Sequence, residues 1–211
     1  MTRMVLSAGV AALVASCAAG VPVPEWQYNA HGAMRTFEKE YLLGNTRGAD
    51  AEFARARAEL ASTGRPQLVA RAELTRCALQ VASLDFDDCP GFASRVADAG
   101  PEERVYNAYL SGRWDSLEAT HLPPQHRAVI GGGALPTDAL SRLVAAGVLL
   151  RAGRITPAQI STATETASAN GWRRPLLAWL GVEKKRAADA GDTAAAARVD
   201  RRIQTVMNGG K

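Results

Sequence analysis

The chain predicts an all-α protein, an antiparallel α-hairpin array or bundle, and three observations carry that reading. Alanine, leucine and arginine dominate, aromatic residues make up only 6%, and alternating β-branched runs are scarce, a balance that favours helix over strand. Apolar residues return at steps of three and four through most of the chain, the period of one buried helix face. Between these segments sit short Gly, Pro, Asp and Thr signals of the kind that end one helix and start the next.

Taken in order, the first helix is expected from Ala30 to Leu43, burying Met34, Phe37 and Tyr41 and ending at Gly44. A second runs from Ala49 to Ala61, with Phe53, Ala56 and Leu60 on one face and Arg55, Arg57 and Glu59 around the others. Gly64-Arg65-Pro66 turns the chain into a third, Gln67 to Leu84, with the apolar stripe Ala70, Leu74, Cys77, Val81, Leu84. Connections this short make neighbouring helices antiparallel. Shorter helices are expected at Gly91–Asp98 and Glu102–Ser111, the latter with Pro101 at a permitted first-turn position and two glutamates at its positive end. Asp115–Thr120 adds a further turn. His121 to Pro136 reads HLPPQHRAVIGGGALP, with three prolines and three consecutive glycines, which predicts a linker or long loop over 123–136. It divides an N-terminal helical region, 25–122, from a C-terminal one, 137–208. The second region holds helices at Thr137–Ala152, Pro157–Ala169, Pro175–Ala190 and Thr193–Met207, with Thr156 and Asp192 as N-caps.

Helix pairs that recur every few tens of residues invite comparison with helical repeats. Ala49, Phe53 and Ala56 resemble the second half of a tetratricopeptide repeat, where small residues let paired helices approach and an aromatic fills the groove. Gly191-Asp192 and the alanines after it resemble that repeat's mid-turn. The first-helix signature of tryptophan, leucine-glycine and tyrosine is not matched in register in either place.

The N-terminus carries a different kind of information. Arg3 supplies a short charged region, an uncharged apolar run extends from Met4 to Ala15, and small residues precede Cys17, the layout of a cleaved export signal. Val14-Ala15-Ser16-Cys17 resembles the lipobox of bacterial lipoproteins, with valine where leucine is commoner. The resemblance implies a signal peptide over 1–16, a mature chain beginning at a lipidated Cys17, and a tether over 17–24. An ordinary export signal cut after Ala18 or Ala19 is the alternative. One acyl chain anchors only marginally and several anchor durably. In the family's sorting rule the residue after the cysteine matters, and Ala18 rather than Asp implies the outer membrane, facing the periplasm.

Removing sixteen residues leaves 195, enough for one sizeable domain or two small ones. The formal charge of +4 is mild and spread along the chain, so nothing argues for a nucleic-acid partner. Arginine outnumbers lysine 21 to 4, which reflects a GC-rich genome more readily than a binding role. Apart from Cys17 there are two cysteines, Cys77 and Cys89, and an exported chain meets an oxidising compartment. A disulfide between them is expected, with Asp85–Asp88 forming the return. Two separate thiols, with Cys77 as a small core residue, are the alternative.

Recognised catalytic and metal motifs are missing. Asp85, Asp87 and Asp88 lack the spacing of a calcium loop, and a solvated loop in which Asp88 helps cap the next helix is the simpler reading. His121 and His126 flank a Pro-Pro pair with no third ligand at a zinc-like spacing. Gly131-Gly132-Gly133 is not followed by the Lys-Ser/Thr of a phosphate cradle. No serine elbow or His-Glu-x-x-His occurs. We therefore expect no catalytic residue, no metal and no cofactor. Of the tryptophans, Trp179 belongs to the core with Leu176 and Leu180, and Trp26, near the tether, is the candidate partner contact. Lys184, Lys185, Arg186, Arg198, Arg201 and Arg202 form a solvated basic face.

These observations converge on a non-catalytic, membrane-attached lipoprotein that binds another envelope protein. Peptidoglycan binding or regulation of its synthesis is the second reading, and a small-ligand carrier with a pocket between the two helical halves is the third.

Overall fold

The turns set the architecture. Gly44 and Gly191 adopt φ of 87° and 72°, a left-handed conformation that glycine alone enters without a Cβ penalty. The amide directly after each glycine then reaches back, Asn45 to Glu40 and Asp192 to Ala187, each at 2.9 Å. The same residues open the next helix: Asn45 Oδ1 accepts from Gly48 N at 3.1 Å and Asp192 Oδ1 from Ala195 N at 2.8 Å. Thr156 and Gln159 form a reciprocal capping box. Stop and start signals packed this tightly leave the chain no route except to double back.

The computed structural model describes residues 23–114 and 117–209. Ten α-helices follow one another among them: α1 Glu25–Leu43, α2 Thr46–Ala61, α3 Pro66–Ala82, α4 Pro90–Ala93, α5 Pro101–Leu110, α6 Pro124–Ile130, α7 Ala139–Arg151, α8 Pro157–Ala169, α9 Arg173–Asp189 and α10 Thr193–Asn208. Short 3₁₀ turns occupy Val96–Asp98 and Ala119–His121, and no strand occurs among the described residues. No helix there is long and apolar enough to cross a membrane. The expected signal peptide over 1–16, Cys17 and most of the tether lie outside the described residues.

Consecutive helices pack as antiparallel neighbours: α1 on α2, α7 on α8, α8 on α9 and α9 on α10. Ala49, Phe53 and Ala56 are all buried on α2, where the Phe53 ring meets that of Phe37 on α1 at 4.9 Å. α3 is the hub, touching α1, α2, α4, α5 and α7, and most of its residues from Val69 to Ala82 are buried. A helix apolar on every side belongs inside. Its one buried charge, Glu73, faces Arg57 at 3.5 Å and Arg95 at 3.8 Å.

The crossing of α3 with α7 is close enough to exclude a side chain. A Cβ on Gly147 would overlap the carbonyl oxygen of Val81 and come within 2.9 Å of its Cγ1. Directly after that point the Ala82 carbonyl, left over at the helix end, accepts the indole N–H of buried Trp179 at 3.1 Å. A second link ties the α1–α2 turn to α9, where Arg174 donates to the Tyr41 carbonyl at 2.7 Å and to Thr46 Oγ1 at 2.8 Å.

Several elements depart from the sequence reading: α2 starts at Thr46 rather than Ala49, and the expected helix Gly91–Asp98 is instead α4 and a 3₁₀ turn. α1 starts at Glu25 rather than Ala30, because nothing after Pro24 breaks the helix and Glu25 suits its positive end. α9 starts at Arg173, taking Pro175 into the first turn, where its missing N–H removes no hydrogen bond. Most consequentially, 123–136 is not simply a linker or long loop. Pro123 and Pro124 start α6, with His126 and Val129 buried, and Leu122 belongs to a core that runs without a break from Ala70 on α3 to Leu180 on α9. Proline at a first helical position favours a helix, and burial of the residues that follow decides in its favour. The two expected halves therefore share one interior.

Gly147→Ala should lower the free energy of unfolding by about 1–3 kcal/mol, the usual cost of overpacking. Gly181→Ala on α9, where a Cβ meets open space, should raise it by up to about 1 kcal/mol through helix propensity. Urea denaturation followed by circular dichroism reads both, and equal effects would refute the close crossing.

Candidate functional site

Cys77 and Cys89 are joined in a disulfide, with their Cα atoms 5.6 Å apart. Closing so short a loop contributes about 3 kcal/mol by restricting the unfolded chain. The return is tight: Leu84, Asp88 and Cys89 have φ near 60°, a costly region for residues with a Cβ. Asp87, rather than the Asp88 expected to cap, stabilises the turn. Its Oδ1 accepts from Cys89 N at 3.0 Å and its Oδ2 from Gln80 Nε2 at 2.7 Å. Asp88 instead pairs with Arg151, whose guanidinium lies 5.3 Å from the Phe86 ring centre. Asp87 lies close to both sulfurs, but these are joined to each other.

Two concave regions flank α3. Beside its N-terminal half, a cleft of about 350 Å³ opens between Arg71, Leu74 and Thr75 of α3, Glu102, Glu103 and Tyr106 of α5, and the segment from Thr120 to Pro124 with Arg127. Arg127 builds the outer wall by donating to the carbonyls of Leu122 and Thr120, both at 2.9 Å, which folds that segment back onto α6. Glu103 lies nearly buried on the inner side. Burial alone would raise its pKa, but the hydrogen bond from Arg71 and those from backbone N–H groups outweigh it and hold the carboxyl below the usual range. His121 sits at the edge, 3.0 Å from Glu118. Charged groups of both signs thus surround an apolar floor of Leu74, Tyr106 and Leu122.

Behind this cleft lies an aromatic cluster. Tyr109 and His126 are both buried, and the hydroxyl and Nδ1 share a hydrogen bond at 3.2 Å. Tyr106 and Trp114 stack on either side of Tyr109, at 6.1 and 6.2 Å between ring centres. Burial pushes the Tyr109 hydroxyl well above its ordinary pKa and, against a weaker opposing pull from Asp138, pushes His126 down to about 4. With its folded pKa near 4 the imidazole is neutral at pH 7, packed against Tyr106 and Tyr109.

The second concavity, about 590 Å³, lies past the C-terminal end of α3. Ser83 and Leu84 form one wall, Leu150, Ile155 and Ile160 another, and Ala178, Gly181 and Val182 of α9 the floor, with Lys185, Arg186 and Asp189 along the rim. Lys185 and Asp189 pair at 2.9 Å. The Ser83 hydroxyl is buried and has no hydrogen-bond partner among the described residues.

The remaining sequence candidates are dispersed. Trp26 is half-buried in the first turn of α1, next to exposed Tyr28, and joins neither concavity. Trp179 is core. In the basic stretch Lys184 pairs with Asp200 and Arg202 with Glu183, while Arg186, Arg198 and Arg201 have no ion pair among the described residues. The cleft itself was missed by sequence reasoning, because its lining is drawn from four separate stretches with no shared spacing. One local clue existed: Glu103 stands three residues after Gly100, the distance at which a carboxylate reaches back over a helix start. Set against protein-family models, curated proteins and solved structures, the chain matches none of them.

The His126 geometry fixes an acid response. Its folded pKa of about 4 lies below the unfolded value of about 6.5, so its contribution is present above pH 6.5 and is lost as pH falls towards 4. Across that window the unfolded chain binds a proton that the folded chain refuses, and stability should fall by about 3 kcal/mol in total. Glu103 and Asp138, both held low, lose their contributions only at lower pH. His126→Gln should flatten the profile between pH 6.5 and 4, as read by urea titrations at each pH. An unchanged slope would assign the response to another group.

Proposed function

We propose that this chain is a non-catalytic, lipid-anchored module of the outer membrane, facing the periplasm, which binds an exposed segment of another envelope protein in the cleft between α3, α5 and α6. The observation that supports this reading is the make-up of the cleft. Arg71, Glu102 and His121 ring an apolar floor of Leu74, Tyr106 and Leu122, the mixture that lets a partner insert one apolar side chain while its polar neighbours stay paired at the edge. Helices and an Arg127 clamp hold the walls, so little ordering is required on binding. We read the hairpins, with Ala49, Phe53 and Ala56 at the α1–α2 contact, as tetratricopeptide-like, an architecture that presents concave surfaces.

The proposed address rests on Val14-Ala15-Ser16-Cys17. Attachment through Cys17 would confine both proteins to one surface and raise their effective concentration. Cell-wall binding is the competing reading, and isolated sacculi distinguish it.

Two measurements test the proposal. Metabolic labelling with an alkyne-tagged palmitate should mark the wild type and not Cys17→Ser, which, uncut without a lipidated cysteine, should keep its leader and run as the longer precursor. A photoreactive residue at position 75 should give one discrete protein adduct in native envelopes, and the same probe at position 204 on α10 should not. Identical patterns at the two positions, or retention on sacculi without an adduct, would sink the partner-binding reading.

A further inference from the structure

Beyond the partner cleft, we propose that the groove at the end of α3 is a binding site for a single-chain fatty-acid carboxylate, its alkyl tail along α9 and its head at Arg186. At about 590 Å³ the groove falls within the range of roughly 300–1,000 Å³ usual for small-molecule sites. It runs beside α9 from Ala178 to Asp189, a distance of about 16 Å at about 1.5 Å per residue. An extended chain of about 12 carbons fits that length, given C–C bonds of about 1.5 Å in zigzag.

Leu84, Leu150, Ile155, Ile160 and Val182 supply apolar walls. Gly181 keeps the floor open, because a Cβ there would meet nothing within 4 Å.

The rim chooses the head group. Lys185 is neutralised by Asp189 at 2.9 Å, whereas Arg186 has no acidic partner among the described residues. The net charge offered is a single positive one, which suits a monoanionic carboxylate. Asp189 opposes a more highly charged phosphate, and a cationic head would meet Arg186 directly. A guanidinium pairs with a carboxylate in a two-pronged hydrogen-bonded geometry.

The full chain carrying Cys17→Ser, which brings no acyl group of its own, is titrated with dodecanoate by calorimetry below the micelle concentration. Saturable one-to-one binding is expected, tightening by up to about fourfold per methylene from octanoate to dodecanoate and then levelling off. Gly181→Leu, which fills the floor, and Arg186→Glu should each weaken binding at least tenfold, whereas Arg198→Glu on α10 should not. Circular dichroism melts verify that each variant folds. The proposal is overturned by no saturable heat, by equal binding of dodecyltrimethylammonium, or by an undiminished affinity in Gly181→Leu. Tighter binding of dodecyl phosphate overturns the choice of head group. An acidic amphipathic peptide that binds where dodecanoate does not would make the groove a protein site instead.

Discussion

The C-terminal end of α3 is the point on which the molecule depends. There a helix that is buried on nearly every side meets α7 so closely that only Gly147 fits against the Val81 carbonyl, and the next carbonyl, Ala82, is satisfied by the indole of Trp179. A helix end inside a protein must find donors for its last carbonyls, and here the donor comes from a helix almost a hundred residues later. That bond ties α9, which packs chiefly on α8 and α10, to the end of α3. With α9 come the α1–α2 turn, through Arg174, and the floor of the apolar groove.

Helices were legible in the sequence wherever caps and periodicity agreed, as at Thr156 and Asp192. The disulfide was legible because Cys77 fell on a helix and Cys89 just past it. The segment after His121 misled for a physical reason: Pro-Pro can end a helix or begin one, and only the burial of Leu122, His126 and Val129 chooses. Gly147 carried a faint signal, a glycine inside an apolar helical run, but its partner was sixty-six residues away. Both concavities were invisible for the same reason. Leu74, Leu84 and Leu150 look like core residues along the chain, and their role as walls follows only from which neighbours fail to cover them.

The charged groups divide by task. Glu73 and Glu103 sit near the interior with arginines from other elements and hold those elements together. Arg127 spends its guanidinium on backbone carbonyls, and Arg151 bridges α7 to the disulfide loop. What remains for recognition is a smaller set at the edges, among them Arg186 beside the groove, which has no ion pair among the described residues.

The Cys77–Cys89 bridge spans only 12 residues and requires nothing beyond position 89 to form. In a chain that emerges amino terminus first, oxidation can precede the arrival of α7, α8 and α9. The loop bearing Leu84 is then already shaped when those helices dock, so the later half of the polypeptide folds onto a template set by covalent chemistry.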